Sequence, residues 1–429
     1  MNYPVWELSF AGGGLLIAMV AVIHVFISHF SVGGGLFLVL TEIKANREKS
    51  PAIMAYVKAH TRFFVILTMV FGALTGVGIW FTISLLNPAA VSVLVHNFVF
   101  AWAIEWVLFF IEILSLIIYY HTFDRLDPKI HQLIGWIYFI SAWLSLVVIN
   151  GIIGFMLTPG AWLVTGNFWD GLLNPVFWPS MFFRTFLALI IAGLFGMVTA
   201  TFQKDREIRQ TLVRYGAHWL LCPFGLLLAS AWWYRATLPP ALEEMVFSRM
   251  PGMATFLLGF AVCSALIVLG GLVMAIRMPA RLSRPLALVM LLVGLTYIGS
   301  FEFIREKGRK PFVIHGYMYA NSILTEDLPS VKQNGGVLQI AKWSLNKTIT
   351  DENRLEAGAE IFTLLCLSCH SVGGPFNNIL KVTDGLRPMG MKAIITTMGS
   401  DLRPYMPPFA GTNLEKGALV EYLTSLQQK

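Results

Sequence analysis

Over the first three hundred residues, long apolar runs alternate with short polar connections. The runs fall at roughly 10–41, 62–87, 93–120, 131–157, 178–202, 216–234, 254–276 and 284–304. About 20 apolar residues cross a bilayer as a helix, so the pattern predicts an all-α polytopic bundle of about eight transmembrane helices. Past the last run the pattern changes. A polar stretch containing Gly and Asn leads to two segments with apolar residues at helical spacing, 356–366 and 413–426. The expected division is a membrane bundle over 1–311, an interfacial segment and linker over 312–352, and a small α-helical domain over 353–429.

Composition agrees with a membrane chain, with 56% hydrophobic and 13% charged residues. The formal net charge of +7 is distributed unevenly. Lys44, Arg47, Lys49 and Lys58 follow the first run; Arg125 and Lys129 follow the third. Lys204, Arg206, Arg209 and Arg214 follow the fifth, and Arg277, Arg281 and Arg284 the seventh, whereas the intervening connections hold few basic residues, Arg249 being the clearest exception. The positive-inside rule makes the basic connections cytoplasmic, and an even number of spans then puts both termini outside. The charge is an orientation signal rather than a nucleic-acid patch. The first run lacks the basic flank and cleavage site of a removed signal peptide, so it is expected to stay as an anchor.

Cys366-Leu-Ser-Cys369-His370 is the most specific chemical motif. Two thiols three apart with an adjoining His form the attachment pattern of a covalent c-type haem, with His370 as axial ligand. A zinc half-site and a redox dithiol are the other readings of the spacing, but Cys222 and Cys263 lie in apolar runs and supply no second pair. The flanking helices resemble the first and last helices of small class I cytochromes c. Between them, Pro404-Tyr-Met406-Pro-Pro-Phe409 sets one methionine in a loop stiffened by proline, making Met406 the candidate second axial ligand, ahead of Met389, Met391 and Met398. Covalent c haem is attached on the outer side of a bacterial inner membrane, the side the charge pattern assigns to the C-terminus.

Ionisable groups inside apolar runs are costly and mark function by default. His24 lies in the first run, Glu105 and Glu112 in the third, Arg184 in the fifth, and Glu302 and Glu306 close the eighth. Glu105 and Glu112 are seven apart and share one helix face, as successive proton stations or as ligand and donor. The alternative for these carboxyls is a neutral, hydrogen-bonded pair, and for His24 a satisfied buried imidazole; otherwise His24 is the best candidate ligand for a membrane haem.

These residues resemble subunit I of the cytochrome bd quinol oxidases over roughly 8–312. The resemblance rests on His24, Ile104-Glu105, Phe110-Ile-Glu112, Asp124-Arg125-Leu126, Asn174-Pro175 and Glu306-Lys-Gly-Arg-Lys-Pro311, where Lys310 replaces the family's Gln. It implies that His24 and Glu306 bind two neighbouring non-covalent haems, of b or d type, in the outer half of the membrane. By the same resemblance, Glu105 lies at the oxygen-site iron, Glu112 lies on the proton route and Arg309 pairs with haem propionates.

Two departures stand out. Arg184 and a residue near Thr255 occupy the positions of the family's low-spin haem ligands, so that haem is expected to be absent. The segment Ala236–Arg249 is too short for the family's quinol-binding loop, and Glu243 and Glu244 do not match its signature, so quinol oxidation at that site is not expected. Family members continue into a further membrane helix, where this chain continues through Phe312–Tyr319 towards Cys366. His315 in that segment is a weaker candidate ligand. The expectation is a respiratory haem oxidoreductase of the bacterial inner membrane that passes electrons between an outer c haem and membrane haems, with oxygen as acceptor. Expected partners are a second bd-like or other membrane subunit and a periplasmic redox protein. The alternative is a non-oxidase electron-transfer subunit linking quinol, at a new site near Arg184 or His218, with periplasmic carriers.

Overall fold

A computed structural model describes residues 4–276 and 280–428. Arg277 lies outside the described residues, as does the side chain of Arg281. Among the described residues, eight helices are long and apolar enough to cross a membrane: α1 Gly13–Arg47, α2 Pro51–Leu86, α3 Val99–His121, α4 Pro128–Leu157, α5 Phe177–Ala200, α6 Arg206–Ala236, α7 Met253–Ala275 and α8 Leu282–Gly308.

Several helices outrun their apolar stretches because capping residues start them in the polar zone. Ser50 accepts a hydrogen bond from Ile53 N at 3.3 Å and Pro51 follows it, so α2 begins well before the apolar run at 62. Asp205 likewise accepts from Glu207 N and Ile208 N at 2.8 and 3.0 Å, starting α6 ten residues before its run. Towards its middle, α2 widens into π-type turns over Ile66–Gly72. The run at 93–120 is interrupted: a short helix, Pro88–Asn97, is capped by Asn87, and Phe98 leaves helical geometry before α3.

Helix α5 is the central strut, with 78% of its apolar window buried against 6% for α2. Small residues let backbones meet along it. A Cβ at Gly33 of α1 would lie 2.0 Å from the Ala188 carbonyl oxygen of α5, and one at Gly193 would lie 2.8 Å from the Gly216 carbonyl oxygen of α6. Phe30, Phe63, Phe64 and Phe195 pack around this contact.

After α8 a short antiparallel hairpin, β1 Phe312–Ile314 and β2 Met318–Tyr319, turns at Gly316 (φ 71°). Val313, Ile314 and Met318 join Leu94, Phe98, Phe155 and Trp162 in an apolar cluster over the ends of α3 and α4. Beyond it stands a small helical unit: α9 Leu328–Gln333, α10 Val337–Ile340, α11 Arg354–Leu365, α12 Ile379–Thr383, α13 Pro388–Thr396 and α14 Asn413–Gln427. Helices α11 and α14 cross where a Cβ at Gly358 would lie 2.2 Å from the Ala418 carbonyl oxygen. Thr412 and Glu415 form a capping box at the start of α14.

The segment expected to be a linker is folded onto this unit. Val331, Val337 and Leu338 lie in its apolar core, and Glu415 Oε1 accepts from Leu338 N at 2.8 Å. Its glycines serve turns, with Gly335 and Gly336 at φ 92° and 95°. Residues 4–12 strap the unit to the bundle: Val372 N donates to Ser9 O at 2.7 Å, and Trp6 N donates to Leu85 O at 2.9 Å. Gly374 sits so close that a Cβ there would lie 1.7 Å from Phe10 O.

Candidate functional site

The C-terminal candidate site is one turn of chain. Helix α11 ends at Cys366, and the next residues coil back so that Cys369 N and His370 N both donate to Cys366 O, at 3.0 and 2.9 Å. His370 Nδ1 donates to Asn377 O at 3.0 Å, and Asn377 Nδ2 donates to Cys369 O at 3.0 Å. That bracing fixes the imidazole and leaves Nε2 as the lone-pair nitrogen, the arrangement expected of a ligating histidine. Burial, with a lesser contribution from Lys307, holds His370 below its ordinary pKa, against the opposing bond to Asn377, so the ring is neutral and able to ligate. Burial, and the neighbouring Cys369, push the Cys366 thiol up to about 12. A redox dithiol works through a lowered thiol pKa, so this environment disfavours that reading.

Met406 is half-buried in its loop, between Arg403, whose carbonyl accepts from Met406 N at 3.2 Å, and the buried Pro407 and Phe409. Its competitors are placed otherwise. Met391 is in the core with its sulfur 3.9 Å from Thr424 Oγ1, Met389 is 83% exposed, and Met398 packs on the apolar cluster.

The membrane station is assembled from distant helices. His24 of α1 meets Thr75 Oγ1 of α2 through Nδ1 at 3.1 Å, just after the π-type turns. Gly76 makes room for the ring, since a Cβ there would lie 3.1 Å from His24 Cε1. On α3, Glu105 accepts from Ser145 Oγ of α4 at 3.2 Å. Glu112, two turns away, is buried with Oε1 unpartnered among the described residues. It lines a cavity of about 50 Å³ with Ser31, Thr68, Met69 and Tyr138.

At the C-terminal end of α8 the charges pair among themselves. Glu302 accepts from Arg184 at 2.9 Å and from Arg305 at 2.9 Å, so Arg184 and Glu302 answer each other. Glu306 is paired with Arg309 and lies 3.6 Å from Lys310. Arg309 Nη1 also donates to Val313 O at 3.2 Å, while Nε is buried without a partner among the described residues. That orphaned donor fits a bundle that holds an acceptor group of a further ligand, as a haem propionate would supply. His315 donates its backbone N–H to Met156 O at 3.0 Å, and its Nδ1 is likewise orphaned.

The stations adjoin. Lys307, the residue after Glu306, is within electrostatic reach of Cys369 and His370. A Cβ at Gly12, at the start of α1, would lie 3.8 Å from His370 O. Glu243 and Glu244, in the short connection after α6, are tied to Arg235 and Arg249 at 2.9 and 2.8 Å on the surface.

Sequence reading passed over four buried groups. His29 is 2% exposed, its Nδ1 on Val25 O at 2.7 Å and its Nε2 unpartnered among the described residues. Glu42, Tyr119 and His131 form a buried triad on α1, α3 and α4. Glu42 and His131 lie at the margins of apolar runs, where composition assigns them to loops; burial across helices was the missing signal.

The sequence profile of cytochrome bd terminal oxidase subunit I matches residues 15–231, just over half of the chain. The chain belongs to that family. Its bundle also matches the structure of bd oxidase from Geobacillus thermodenitrificans with a TM-score of 0.62 at 16% identity, covering 72% of this chain and 88% of that one. At that identity the likeness shows the bd-oxidase-like helical fold. No curated protein matches. The family profile thus covers α1 to most of α6, including His24, Glu105, Glu112 and the buried triad, and stops before α7, α8 and the C-terminal unit. Family membership makes the chain a membrane, terminal-oxidase-like subunit of a family that binds b- and d-type haems, acts on oxygen and works beside a second subunit.

Proposed function

We propose that this subunit takes electrons on the outer side of a bacterial inner membrane and delivers them to oxygen inside the bundle. Cys366 and Cys369 would hold a covalent c haem, with His370 and Met406 as the residues able to ligate its iron, and His24 and Glu306 would hold non-covalent haems of b or d type. The c haem supplies one-electron transfer, and the membrane haems supply electron relay and oxygen binding. The chain's own residues do the rest. Asn377 fixes the His370 ring, the strap of residues 4–12 keeps the outer unit in place, and Arg309 and Lys310 balance the Glu306 carboxylate. Glu105 would face the oxygen-binding haem, and Glu112 would hold a proton for delivery towards it.

The observation that carries this reading is the junction: the start of α1 lies against the Cys369–His370 turn, where a Cβ at Gly12 would be 3.8 Å from His370 O, and Val372 N donates to Ser9 O at 2.7 Å. It supports direct electron exchange between outer unit and bundle, without a quinol site of the family's kind. The basic connections then face the cytoplasm, and both termini and residues 353–429 face outwards. The test is a haem count and type by pyridine haemochrome with a carbon monoxide difference spectrum on the purified chain. One c haem, one or two others and a clear carbon monoxide signal support the oxidase reading. A c haem alone, or no response to carbon monoxide, overturns it in favour of a non-oxidase electron-transfer subunit. The Arg184–Glu302 pair, standing where the family's low-spin haem ligand is expected, is the feature that favours that second reading.

A further inference from the structure

The C-terminal unit is polarised in charge. Residues 351–375 carry four acidic groups and one arginine, and Arg354 spends its charge on Glu421 at 2.8 Å and Asp351 at 3.5 Å. Residues 376–416 carry five basic groups against three acidic, and one of those three, Glu415, is 2% exposed and turned inwards onto Thr412 N and Leu338 N. The two halves also differ in what covers them. Leu364, Leu367 and Ser368 line a cavity of about 190 Å³ shared with Trp6 and Leu86, and Val372 N donates to Ser9 O, so the acidic half is the one laid against the bundle. Among the described residues, no hydrogen bond or ion pair ties 376–416 to residues 4–311.

The basic groups gather at one place. Lys416 Nζ donates to Thr396 Oγ1 at 3.2 Å, and that hydroxyl donates to the carbonyl of Lys392, one turn earlier on α13, at 2.7 Å. Lys332 joins them from α9. Partial burial, and then the charges of Lys332 and Lys392, hold the Lys416 ammonium below its ordinary pKa. None of the three has an ion pair among the described residues. Uncompensated like charges repel, and a partner's carboxylates would relieve that repulsion. Large apolar side chains stand exposed among them: Met389, one turn from Lys392, together with Leu402 and Leu414. Lys416 lies over the Phe409 ring, 5.7 Å from its centre, and so borders the Met406 loop. A few exposed apolar groups ringed by one sign of charge suit brief docking, in which charge steers the encounter and little area is buried.

We propose that Lys332, Lys392 and Lys416, with Met389, Leu402 and Leu414 among them, dock a soluble, acidic one-electron carrier, so that electrons enter the C-terminal unit on its Met406 side and leave on its His370 side. The inference rests on the reading of Cys366–His370 and Met406 as a haem site. In each encounter the reduced carrier gives up one electron and departs oxidised, and the unit gains that electron; no bond is made or broken and no proton moves. The His370 side is the one against the bundle, where a Cβ at Gly12 would lie 3.8 Å from His370 O. Entry and exit on different faces let the carrier come and go without disturbing the strap. An anionic lipid surface would take the same charges, but the patch belongs to the half that has no tie to the bundle.

Stopped-flow reduction of the full chain in nanodiscs of neutral lipid, without oxygen, tests the patch with two probes: a reduced acidic soluble cytochrome and a reduced basic one of similar size and potential. The acidic probe should reduce the covalent haem about tenfold faster at low salt than at high salt, since opposite charges steer encounter and salt screens them. The combined variant Lys332→Gln, Lys392→Gln and Lys416→Gln should lose about tenfold at low salt and meet the unaltered chain at high salt, and Lys392→Gln alone should lose about twofold. Lys342, whose neighbours Ala341 and Trp343 line the strap-side cavity, is the control: Lys342→Gln should match the unaltered chain. The basic probe should be slower at low salt and gain as salt rises. A combined variant as fast as the unaltered chain at low salt, or a basic probe that matches the acidic one, overturns the docking face. So does a patch that holds anionic vesicles and not the acidic probe, in thermophoresis of the same samples. A purified chain without covalent haem overturns the haem reading instead, and thermophoresis of the acidic probe with the unaltered and combined-variant chains still decides whether the patch docks it.

Discussion

The outer station draws Cys366, Cys369 and His370 from five consecutive residues, whereas the membrane station draws His24 from α1, Glu105 and Glu112 from α3, and Glu306 from α8. The first is local: backbone bonds to Cys366 O and one carbonyl, Asn377 O, orient the whole set. The second exists only when α1, α2, α3, α4 and α8 are packed, and its neighbours are side chains up to 153 residues away, as between Arg309 and Met156. A local site survives changes elsewhere in the chain. A dispersed one depends on every helix that frames it.

The comparison is broken most directly by replacing both thiols. In Cys366→Ser with Cys369→Ser, covalent haem should vanish completely on a haem-stained denaturing gel while extractable haem stays at its original level. Loss of both pools together would show that the stations are not independent. The converse variants, His24→Ala and Glu306→Gln, should each remove one extractable haem or the carbon monoxide signal and leave covalent haem untouched, as pyridine haemochrome would report. Equal loss from both pools would again merge the stations.

This asymmetry also decided what could be read from the sequence. The Cys366–His370 motif and the apolar runs are contiguous, so spacing alone exposes both the motif and the eight spans. Glu302 and Arg184 were visible as charges in the wrong solvent, but not as partners of each other, because nothing in the order of residues says that α5 and α8 meet. Glu42 and His131 were hidden further, since each sits at the end of an apolar run and only the crossing of α1, α3 and α4 buries them. The stretch over 312–352 reads as interfacial segment and linker because Gly and Asn make turns as readily as they make linkers. Its apolar Val331, Val337 and Leu338 find a core only beside α14.

The ion cluster at the C-terminal end of α8 sharpens the comparison at the level of stability. Glu302→Gln would leave Arg184 and Arg305 facing each other's charge in the bundle interior. Breaking a buried pair by removing one partner costs about 3–5 kcal/mol, so the bundle should unfold markedly earlier in a thermal or denaturant titration. The outer unit should keep its own transition. A Glu302→Gln bundle as stable as the original would mean that the arginines find another anion there.

A smaller change targets the contact between the stations. In Gly374→Ala the added methyl meets Phe10 O at 1.7 Å, so the strap of residues 4–12 has to shift. The expected result is faster proteolysis of the first dozen residues and slower electron exchange between covalent and extractable haems, with both haem pools at full level. Unchanged exchange would show that the strap is dispensable and that other contacts hold the unit in place.

The smallest expected effect lies wholly within the outer unit. Glu360 of α11 is partly buried, which by itself raises its pKa, but it accepts from Leu345 N at 2.8 Å and from Asn346 N and Nδ2 at 3.1 and 3.0 Å. These bonds outweigh the burial and hold the folded carboxyl below its ordinary 4.5. A carboxyl depressed on folding contributes stability that is present above the unfolded value and is lost as pH falls through the folded one. The outer unit should therefore lose a few degrees of melting temperature as pH drops below the ordinary carboxyl range, while Glu360→Gln should start lower at neutral pH and lose less over the same window. Followed by circular dichroism, parallel acid profiles for the two proteins would show that the 344–346 turn is held by its apolar neighbours and not by this carboxylate.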